Sequence, residues 1–274
     1  RECIMNLKLL HIFLLSTGGT LLLCTPLIHT TELVNGLVIG KMCWFHLVML
    51  FFSVCVFFVV LTKRTTAIAF LSSDLLLLIF TGTVLITYKW SLNPEPEKLI
   101  FIGQLVIFWF LLRYILTAYR EFNFFFLFVG ILTGLVEAVW GMQQLHGHAY
   151  SNHSLFRLTG SFFNPGPYSG YLAVVLPVGL WMALRFQKGM RCFGYICVGA
   201  ILIVLPAGMS RSAWMAAVVA CGWVYWAERI GWEKTKAVYR RNKNATIPFI
   251  AIVAILVGCA IAELYGLKRD SADG

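Results

Sequence analysis

Long apolar runs separated by short polar segments dominate the chain. A helix needs about 20 apolar residues to cross the hydrocarbon core of a bilayer, and nine runs come close enough to that length to be predicted spans. The predicted spans cover residues 7–28, 42–61, 67–88, 99–118, 124–145, 166–184, 193–208, 211–228 and 246–265. The pattern therefore predicts an all-α polytopic integral membrane protein, with one transmembrane domain over residues 1–274.

The basic residues are divided unevenly between the two sets of loops. Fifteen of the 22 Lys and Arg residues lie in the N-terminal segment and in every second loop, and the other seven lie in the alternate loops. Because cytoplasmic loops carry an excess of Lys and Arg, this bias predicts a cytoplasmic N-terminus. The segments predicted to lie outside are near 29–41, 89–98, 146–165, 209–211 and 266–274.

Composition narrows the class of protein. Of the 274 residues, 59% are hydrophobic and 12% are charged, whereas a soluble domain has about 45–50% apolar and about 25% charged residues. A soluble or disordered chain is therefore excluded. The net charge of +10 would suggest nucleic-acid binding in a soluble protein, but the loop bias accounts for it here, so no nucleic-acid partner is predicted. The eight cysteines include no CxxC pair, and we predict no disulfide framework.

Three carboxylates fall within predicted spans. Asp74 lies about a third of the way into span three, Glu137 in the outer half of span five, and Glu263 near the outer end of span nine, within reach of water. Because charges inside a membrane are costly, Asp74 and Glu137 are candidates for a proton relay or for partners of an intramembrane arginine. The alternative is a carboxyl that is neutral or paired for structural reasons. We prefer that alternative for Asp74 and leave both open for Glu137.

The outer segment between spans five and six contains an Asn-Pro-Gly-Pro run at residues 164–167. Proline removes a backbone donor and glycine permits positive φ angles, so we expect the backbone of 160–170 to break and to line a cavity where span six begins. His146, His148 and His153 precede this run. Their spacing is not a closed zinc pattern and no Cys or carboxylate stands nearby, so we predict no metal site.

The turn between spans seven and eight reads Gly208-Met-Ser-Arg211-Ser-Ala-Trp214. A tight hairpin leaves the first turn of the next helix with free N–H groups that point outward, at the positive end of the helix dipole. Together with the planar guanidinium of Arg211, these groups predict an anion site suited to phosphate. The alternative is an interfacial arginine that snorkels from an ordinary helix end.

Two motifs, in this order, resemble the O-antigen ligase family. They are Arg157-Leu-Thr-Gly-Ser-Phe-Phe-Asn-Pro165 before span six and Ser210-Arg-Ser-Ala-Trp214 at the start of span eight. The wider superfamily also includes O-antigen polymerases and bacterial protein O-oligosaccharyltransferases. The resemblance covers essentially the whole chain and implies that it corresponds to the N-terminal two-thirds of such a protein. The polar ending at 270–274 would then be the start of the family's large periplasmic loop.

The resemblance implies a metal-independent membrane glycosyltransferase of GT-C-like architecture in the bacterial inner membrane, with a role in lipopolysaccharide biosynthesis. Its donor would be a glycan on undecaprenyl diphosphate at the periplasmic face. Its acceptor would be a hydroxyl of lipid A–core, of a growing glycan or of a protein. The resemblance implies no cofactor. The expected partners are the lipid-linked glycan, the acceptor and membrane lipids.

The resemblance also assigns a role to Arg211, which would hold the diphosphate and stabilise the charge that develops on the leaving group. The candidate substrate-binding residues are Arg157, Asn164, Ser210, Ser212 and Glu137. The family's general-base histidine and a second diphosphate-binding arginine lie in the large periplasmic loop, which is outside these 274 residues. We therefore expect this chain by itself to bind poorly and not to catalyse transfer.

A transporter or flippase of lipid-linked or anionic substrates is the alternative from a different class. Broken helices whose N-termini face an anion are also a transporter device. A transporter would predict an inverted repeat between the halves, and we find no internal repeat. A non-catalytic membrane scaffold requires neither the Arg211 turn nor the Asn-Pro-Gly-Pro break. Glycan transfer is therefore our first expectation.

Overall fold

The computed structural model describes residues 2–30, 36–63, 70–90 and 96–231, and every regular element within them is helical. The α-helices are α1 Glu2–Leu23, α2 Gly36–Thr62, α3 Ser72–Lys89, α4 Pro96–Ala118, α5 Phe122–Leu145, α6 Pro165–Arg185, α7 Lys188–Val204 and α8 Arg211–Tyr225. Short 3₁₀ turns lie at Thr25–Leu27 and Pro206–Gly208, and a π-helical turn at Trp226–Ile230 follows α8. The predicted all-α class is confirmed.

Seven helices among the described residues are long and apolar enough to cross a membrane. They are Asn6–Leu23, Gly36–Thr62, Ser72–Lys89, Pro96–Ala118, Phe122–Leu145, Pro165–Arg185 and Lys188–Gly208, and they correspond to the first seven predicted spans. Predicted span eight begins with α8, whose 15 residues continue directly into the π-helical turn that ends at Ile230, and it is not among these seven. Predicted span nine, residues 246–265 with Glu263, lies outside the described residues. The fold is thus that of a multi-pass membrane protein.

The predicted end of span one and the predicted start of span three are wrong, each for a local reason. The sequence predicts the first span over 7–28, but α1 ends at Leu23 and Pro26 lies in the 3₁₀ turn that follows. It predicts the third span from residue 67, but α3 begins at Ser72 after an extended Leu71. Asp74 therefore lies in the first turn of its helix rather than a third of the way along it.

The helices pack through two apolar clusters. One joins α5, α6 and α7, and the other joins α1, α2, α4 and the start of α5. α6 and α7 approach closely at Gly194, where an added Cβ would lie 2.6 Å from the backbone nitrogen of Ala183. Small residues permit such close helix contacts in membranes. Other apolar side chains face outward, such as Leu76 and Val174, which are 67% and 68% exposed, as expected for lipid-facing positions.

The loops of the described chain meet at two opposite ends of the helices. His29 and Asn152 are hydrogen bonded at 3.1 Å, and Lys41 donates to Ser161 at 3.0 Å. An added Cβ on Gly208 would lie 2.0 Å from Oγ of Ser169. Residues 24–30, 146–164 and 206–211 therefore share one end, which we call the loop end. They overlap three of the five segments that alternation of the spans predicts on one side, 29–41, 146–165 and 209–211; the predicted segment 266–274 lies outside the described residues.

A second set of polar contacts lies at the opposite end of the helices. The buried His11 ring contacts Thr62 Oγ1 and Tyr119 Oη, each at 2.7 Å. Because Thr62 already donates to the carbonyl of Phe58, the His11 Nε2–H donates to Thr62, and His11 Nδ1 accepts from Tyr119. Burial raises the pKa of the Tyr119 phenol, so its hydroxyl keeps the proton that it donates.

The contacts divide the chain into two compact units, the first of which ends at Cys221. All of the loop-end residues belong to this first unit. The described part of the second unit comprises residues 222–231, where the rings of Trp223 and Trp226 contact each other at a centroid distance of 4.9 Å.

Candidate functional site

Gln144, near the end of α5, holds the segment 146–164 in place. Its Oε1 accepts hydrogen bonds from the backbone nitrogens of Thr159 at 2.9 Å and Gly160 at 2.7 Å. Its Nε2 donates to the carbonyls of Tyr150 and Gly160, both at 3.0 Å. This nearly buried amide therefore satisfies four groups of a segment that lacks regular structure. The sequence does not single out Gln144. The one feature that could have drawn attention to it is a polar amide side chain close to the end of an apolar span.

Asn152 and Gly160 complete the anchoring of this segment. The Asn152 side-chain nitrogen donates to the carbonyls of Gly160 and Phe162, both at 3.1 Å. Gly160 has φ +55°, and an added Cβ there would lie 2.4 Å from both Glu137 Oε2 and a ring carbon of Tyr168. Glycine is required at this position both by its left-handed backbone and by the lack of space. The loop end is thus a fixed surface.

Glu137 is fully buried beneath the segment and is joined to Lys41 through one hydroxyl. Ser161 donates to Glu137 twice, from its nitrogen at 3.0 Å and from its Oγ at 2.5 Å. Lys41 Nζ donates to the same Oγ at 3.0 Å, to the carbonyl of Ile28 at 2.5 Å and to that of Pro26. We call Glu137, Ser161 and Lys41 the buried network. It ties the starts of α2 and α6 to the half of α5 that is nearer the loop end.

Asp74 lies at the opposite end and has a structural set of partners. Its Oδ2 accepts from the nitrogen of Leu71 at 2.8 Å and forms an ion pair with Arg113. Its Oδ1 accepts from Trp109 Nε1 at 2.8 Å. Both carboxylate oxygens are therefore occupied in joining the first turn of α3 to α4. The structure does not bring Asp74 to the loop end.

The backbone break predicted from the Asn-Pro-Gly-Pro run is present. α6 begins at Pro165, and Asn164 caps it by accepting a hydrogen bond from the nitrogen of Gly166 at 2.9 Å. Phe162, in the broken segment, lines an apolar cavity of about 490 Å³ together with Lys41 and Tyr171. Asn164 itself is exposed, so its side chain can cap α6 and also contact a substrate.

The turn that carries Arg211 packs against the first turns of α6. Gly208 is buried against Ser169, and Trp214 Nε1 donates to the carbonyl of Leu205 at 2.9 Å. Arg211 is the first residue of α8 and is exposed. No ion pair joins its guanidinium to a carboxylate among the described residues. A fixed turn therefore presents at the loop end an exposed cation that pairs with no carboxylate of residues 2–30, 36–63, 70–90 or 96–231.

Ser210 and Ser212 flank Arg211, and their hydroxyl oxygens lie 3.4 Å apart. This distance leaves both hydroxyls able to turn toward a ligand, because a bond of this length is weak. Of the site residues predicted from sequence, these two and Arg211 are brought together by one turn. Arg157 and Asn164 lie in the neighbouring segment, and Glu137 lies beneath it.

Arg157 lines a polar pocket of about 430 Å³ with Gln144, His146, Tyr150 and Ser151. The three histidines of the segment do not converge. His146 is hydrogen bonded to the carbonyl of Met142, and the His153 ring accepts from the nitrogen of Leu155. Within the described ranges, no three His, Cys, Asp or Glu side chains form a group that could hold a metal ion.

The charge of the loop end is positive. No Asp or Glu occurs between Glu137 and Glu228, a stretch that includes both Arg157 and Arg211. Since Glu137 is buried in its own network, the exposed groups of the segment 146–164 and of the turn at 206–211 are cationic or neutral. Such a surface attracts anions.

No family model, curated protein or solved structure matches the chain, so comparisons with other proteins do not assign it to a family. Function is therefore inferred from the geometry of the loop end and from its two motifs.

Proposed function

We propose that this protein acts in membrane glycan transfer, as an O-antigen ligase-like glycosyltransferase that uses a glycan on undecaprenyl diphosphate as donor. The observation that carries the proposal is Arg211, an exposed guanidinium without an ion-pair partner among the described residues, at the start of a helix in a turn fixed by packing. A diphosphate fits this arrangement because guanidinium forms charge-assisted, bidentate hydrogen bonds with phosphate oxygens.

The proposed role of Arg211 follows from the position of the negative charge that develops on the leaving diphosphate. When the glycan leaves, negative charge accumulates on the diphosphate oxygens, and a cation that is already in position stabilises this state more than the ground state. The hydroxyls of Ser210 and Ser212 and the free N–H groups of the first turn of α8 add donors for the same oxygens. In this proposal no metal or cofactor takes part.

The other predicted site residues act around this centre. Arg157 lines the polar pocket at the loop end and binds the glycan or the phosphate next to it. Asn164 fixes the start of α6, against which the Arg211 turn packs. Glu137 acts as a positioning residue through Ser161, because its carboxylate is fully buried.

The identity of the acceptor decides which kind of glycan-transfer enzyme is proposed. Lipid A–core would make the protein a ligase, a growing glycan would make it a polymerase, and a protein hydroxyl would make it an oligosaccharyltransferase. In each case the proposed setting is the bacterial inner membrane, with the N-terminus in the cytoplasm and the loop end at the periplasmic face. The positive, acid-free loop end supports a lipid diphosphate donor in all three.

Donor binding tests the proposal. The chain would be reconstituted in nanodiscs and its affinity for undecaprenyl diphosphate measured for the native protein, Arg211→Ala and Arg120→Ala. Arg120 is also exposed but lies between α4 and α5 at the opposite end. We expect roughly tenfold or greater weakening for Arg211→Ala, the loss of a hydrogen-bonded charge, and no change for Arg120→Ala.

Equal affinity of all three proteins would refute the diphosphate role of Arg211. Transfer of a labelled glycan from undecaprenyl diphosphate to lipid A–core is the second measurement. On the basis of the sequence, we expect these 274 residues to bind the donor only weakly and not to transfer glycan. Movement of undecaprenyl diphosphate across the bilayer would instead favour the flippase alternative.

A further inference from the structure

The polar pocket beside α5 has the dimensions of a small-molecule site. Its volume is about 430 Å³, and its wall includes Gln144, His146, Tyr150, Ser151 and Arg157. Ligand pockets in proteins commonly have volumes of about 300–1,000 Å³. The diphosphate proposed above is assigned to the Arg211 turn, and no role there uses Tyr150 or His146.

The rear wall of the pocket is held in place without a ligand. Gln144 makes four hydrogen bonds to the surrounding backbone. Ser151 Oγ donates to the carbonyl of Phe156 at 2.5 Å, and its oxygen also lies 3.3 Å from Thr159 Oγ1. A ligand would therefore not need to order this wall, which lowers the entropic cost of binding.

The open side of the pocket presents three groups of different chemistry. The Arg157 guanidinium is exposed and has no hydrogen bond or ion pair with another described residue. Tyr150 is 98% exposed. Its largely apolar ring is therefore available to contact a ligand. In its neutral form, His146 donates from Nδ1 to the carbonyl of Met142 at 2.8 Å, so Nε2 remains as an acceptor.

These groups match the parts of one kind of ligand. A guanidinium binds a carboxylate through two parallel hydrogen bonds. The electron-rich face of a tyrosine ring attracts the C–H groups on one face of a pyranose, and the His146 acceptor binds a sugar hydroxyl. The wall contains no Asp or Glu, and none occurs between Glu137 and Glu228, so an anionic sugar meets no like charge here.

We propose that this pocket binds an acidic sugar, with the sugar carboxylate on Arg157 and the face of the pyranose on Tyr150. The inference rests on the proposed function in one respect, because it takes the acidic sugar to be a unit of the transferred glycan. Arg157 and Tyr150 then determine the specificity of the protein for glycans that contain a uronic acid.

Ligand-detected saturation-transfer NMR tests this site directly. The detergent-solubilised chain would be mixed with glucuronate, with glucose or with acetate. We expect saturation transfer to the ring protons of glucuronate, at least fivefold less to those of glucose, and none to acetate at the same concentration. Arg157→Ala should weaken glucuronate binding by about tenfold, the loss of a charge-assisted bond at an exposed site. Tyr150→Ala should weaken it by about threefold or more.

Matched variants outside the pocket serve as controls. Arg120→Ala removes an exposed guanidinium at the opposite end, and Trp90→Ala removes a ring that is 78% exposed at the end of α3. Neither should change glucuronate binding. The inference is overturned if glucose binds as well as glucuronate, or if Arg157→Ala retains native affinity in a protein with the native circular dichroism spectrum.

The two proposals fail in different experiments. If Arg211→Ala weakens undecaprenyl diphosphate binding while the pocket variants leave glucuronate binding unchanged, the sugar pocket is wrong and the donor site stands. If glucuronate binding depends on Arg157 and Tyr150 but undecaprenyl diphosphate does not bind, the pocket stands as a sugar site and the proposed function is wrong.

Discussion

Removal of the Glu137 carboxylate should destabilise the protein strongly, because the loop end depends on the buried network. Glu137→Ala deletes the acceptor of two Ser161 hydrogen bonds, at 2.5 and 3.0 Å, and the negative charge nearest to Lys41 in that network. A hydrogen bond to a charged group contributes about 1.5–3 kcal/mol. Lys41 is half-buried, reaches Glu137 only through Ser161, and keeps its bonds to the carbonyls of Pro26 and Ile28. We therefore expect a total loss of about 3 kcal/mol.

The assay is equilibrium unfolding of the purified chain in mixed micelles, followed by far-ultraviolet circular dichroism. Glu121→Ala is the matched control, since Glu121 immediately precedes α5 but is exposed and makes no capping hydrogen bond. It should change the free energy of unfolding by less than about 0.5 kcal/mol. Glu137→Gln, which keeps an acceptor but loses the charge, should cost about 1.5–2 kcal/mol.

A double-mutant cycle with Lys41→Met distinguishes an energetic coupling between Lys41 and Glu137 from a simple loss of packing at each position. If Lys41 and Glu137 are coupled through Ser161, the double variant should be less destabilised than the sum of the two single variants by at least about 1 kcal/mol. The coupling would be refuted by additive effects. A free energy of unfolding for Glu137→Ala within about 0.5 kcal/mol of the native value would refute the importance of the network as a whole.

Three further predictions concern single positions and use the same unfolding measurement. Asp74→Ala should destabilise the protein by about 3 kcal/mol, because it deletes the carboxylate that pairs with Arg113 and accepts hydrogen bonds from Trp109 and Leu71; a change under about 1 kcal/mol would contradict this. Asn164→Ala should cost about 1 kcal/mol through loss of the α6 cap, whereas Asn164→Ser should restore most of it. Gly160→Ala should cost at least about 2 kcal/mol, since φ is +55° and the Cβ has no space; native stability would show that the loop can rearrange.

The parts of the fold that depend on local pattern were predictable from sequence. Apolar runs of about 20 residues located the first seven spans, and the Asn-Pro-Gly-Pro run located the start of α6 at Pro165. The ends of the spans were less predictable because the apolar run in the sequence extends past the end of the helix. The run that contains α1 stays apolar to residue 28 although Pro26 lies in a 3₁₀ turn, and α3 begins at Ser72 although the preceding residues are also apolar.

The anchors of the loop end could not be predicted because their partners are distant in sequence. Lys41 and Ser161 are 120 residues apart, and Gln144 contacts backbone groups up to 16 residues away. No spacing rule connects such positions. Arg157 and Arg211 were found because each lies in a short motif, and the structure adds that both are exposed and free of carboxylate partners in the described chain.

Burial separates the charged groups that hold the fold from those available for function. Asp74 and Glu137 are both fully buried, and both oxygens of each already accept hydrogen bonds. To bind substrate, either carboxylate would have to lose a charge-assisted bond, which costs about 1.5–3 kcal/mol. Arg157 and Arg211 have no such bond to another residue in the described part of the chain, so an anion bound there displaces no side-chain partner among those residues. Glu137 therefore positions the loop end, Asp74 joins α3 to α4 at the opposite end, and the two exposed arginines are the groups that we propose meet the substrate.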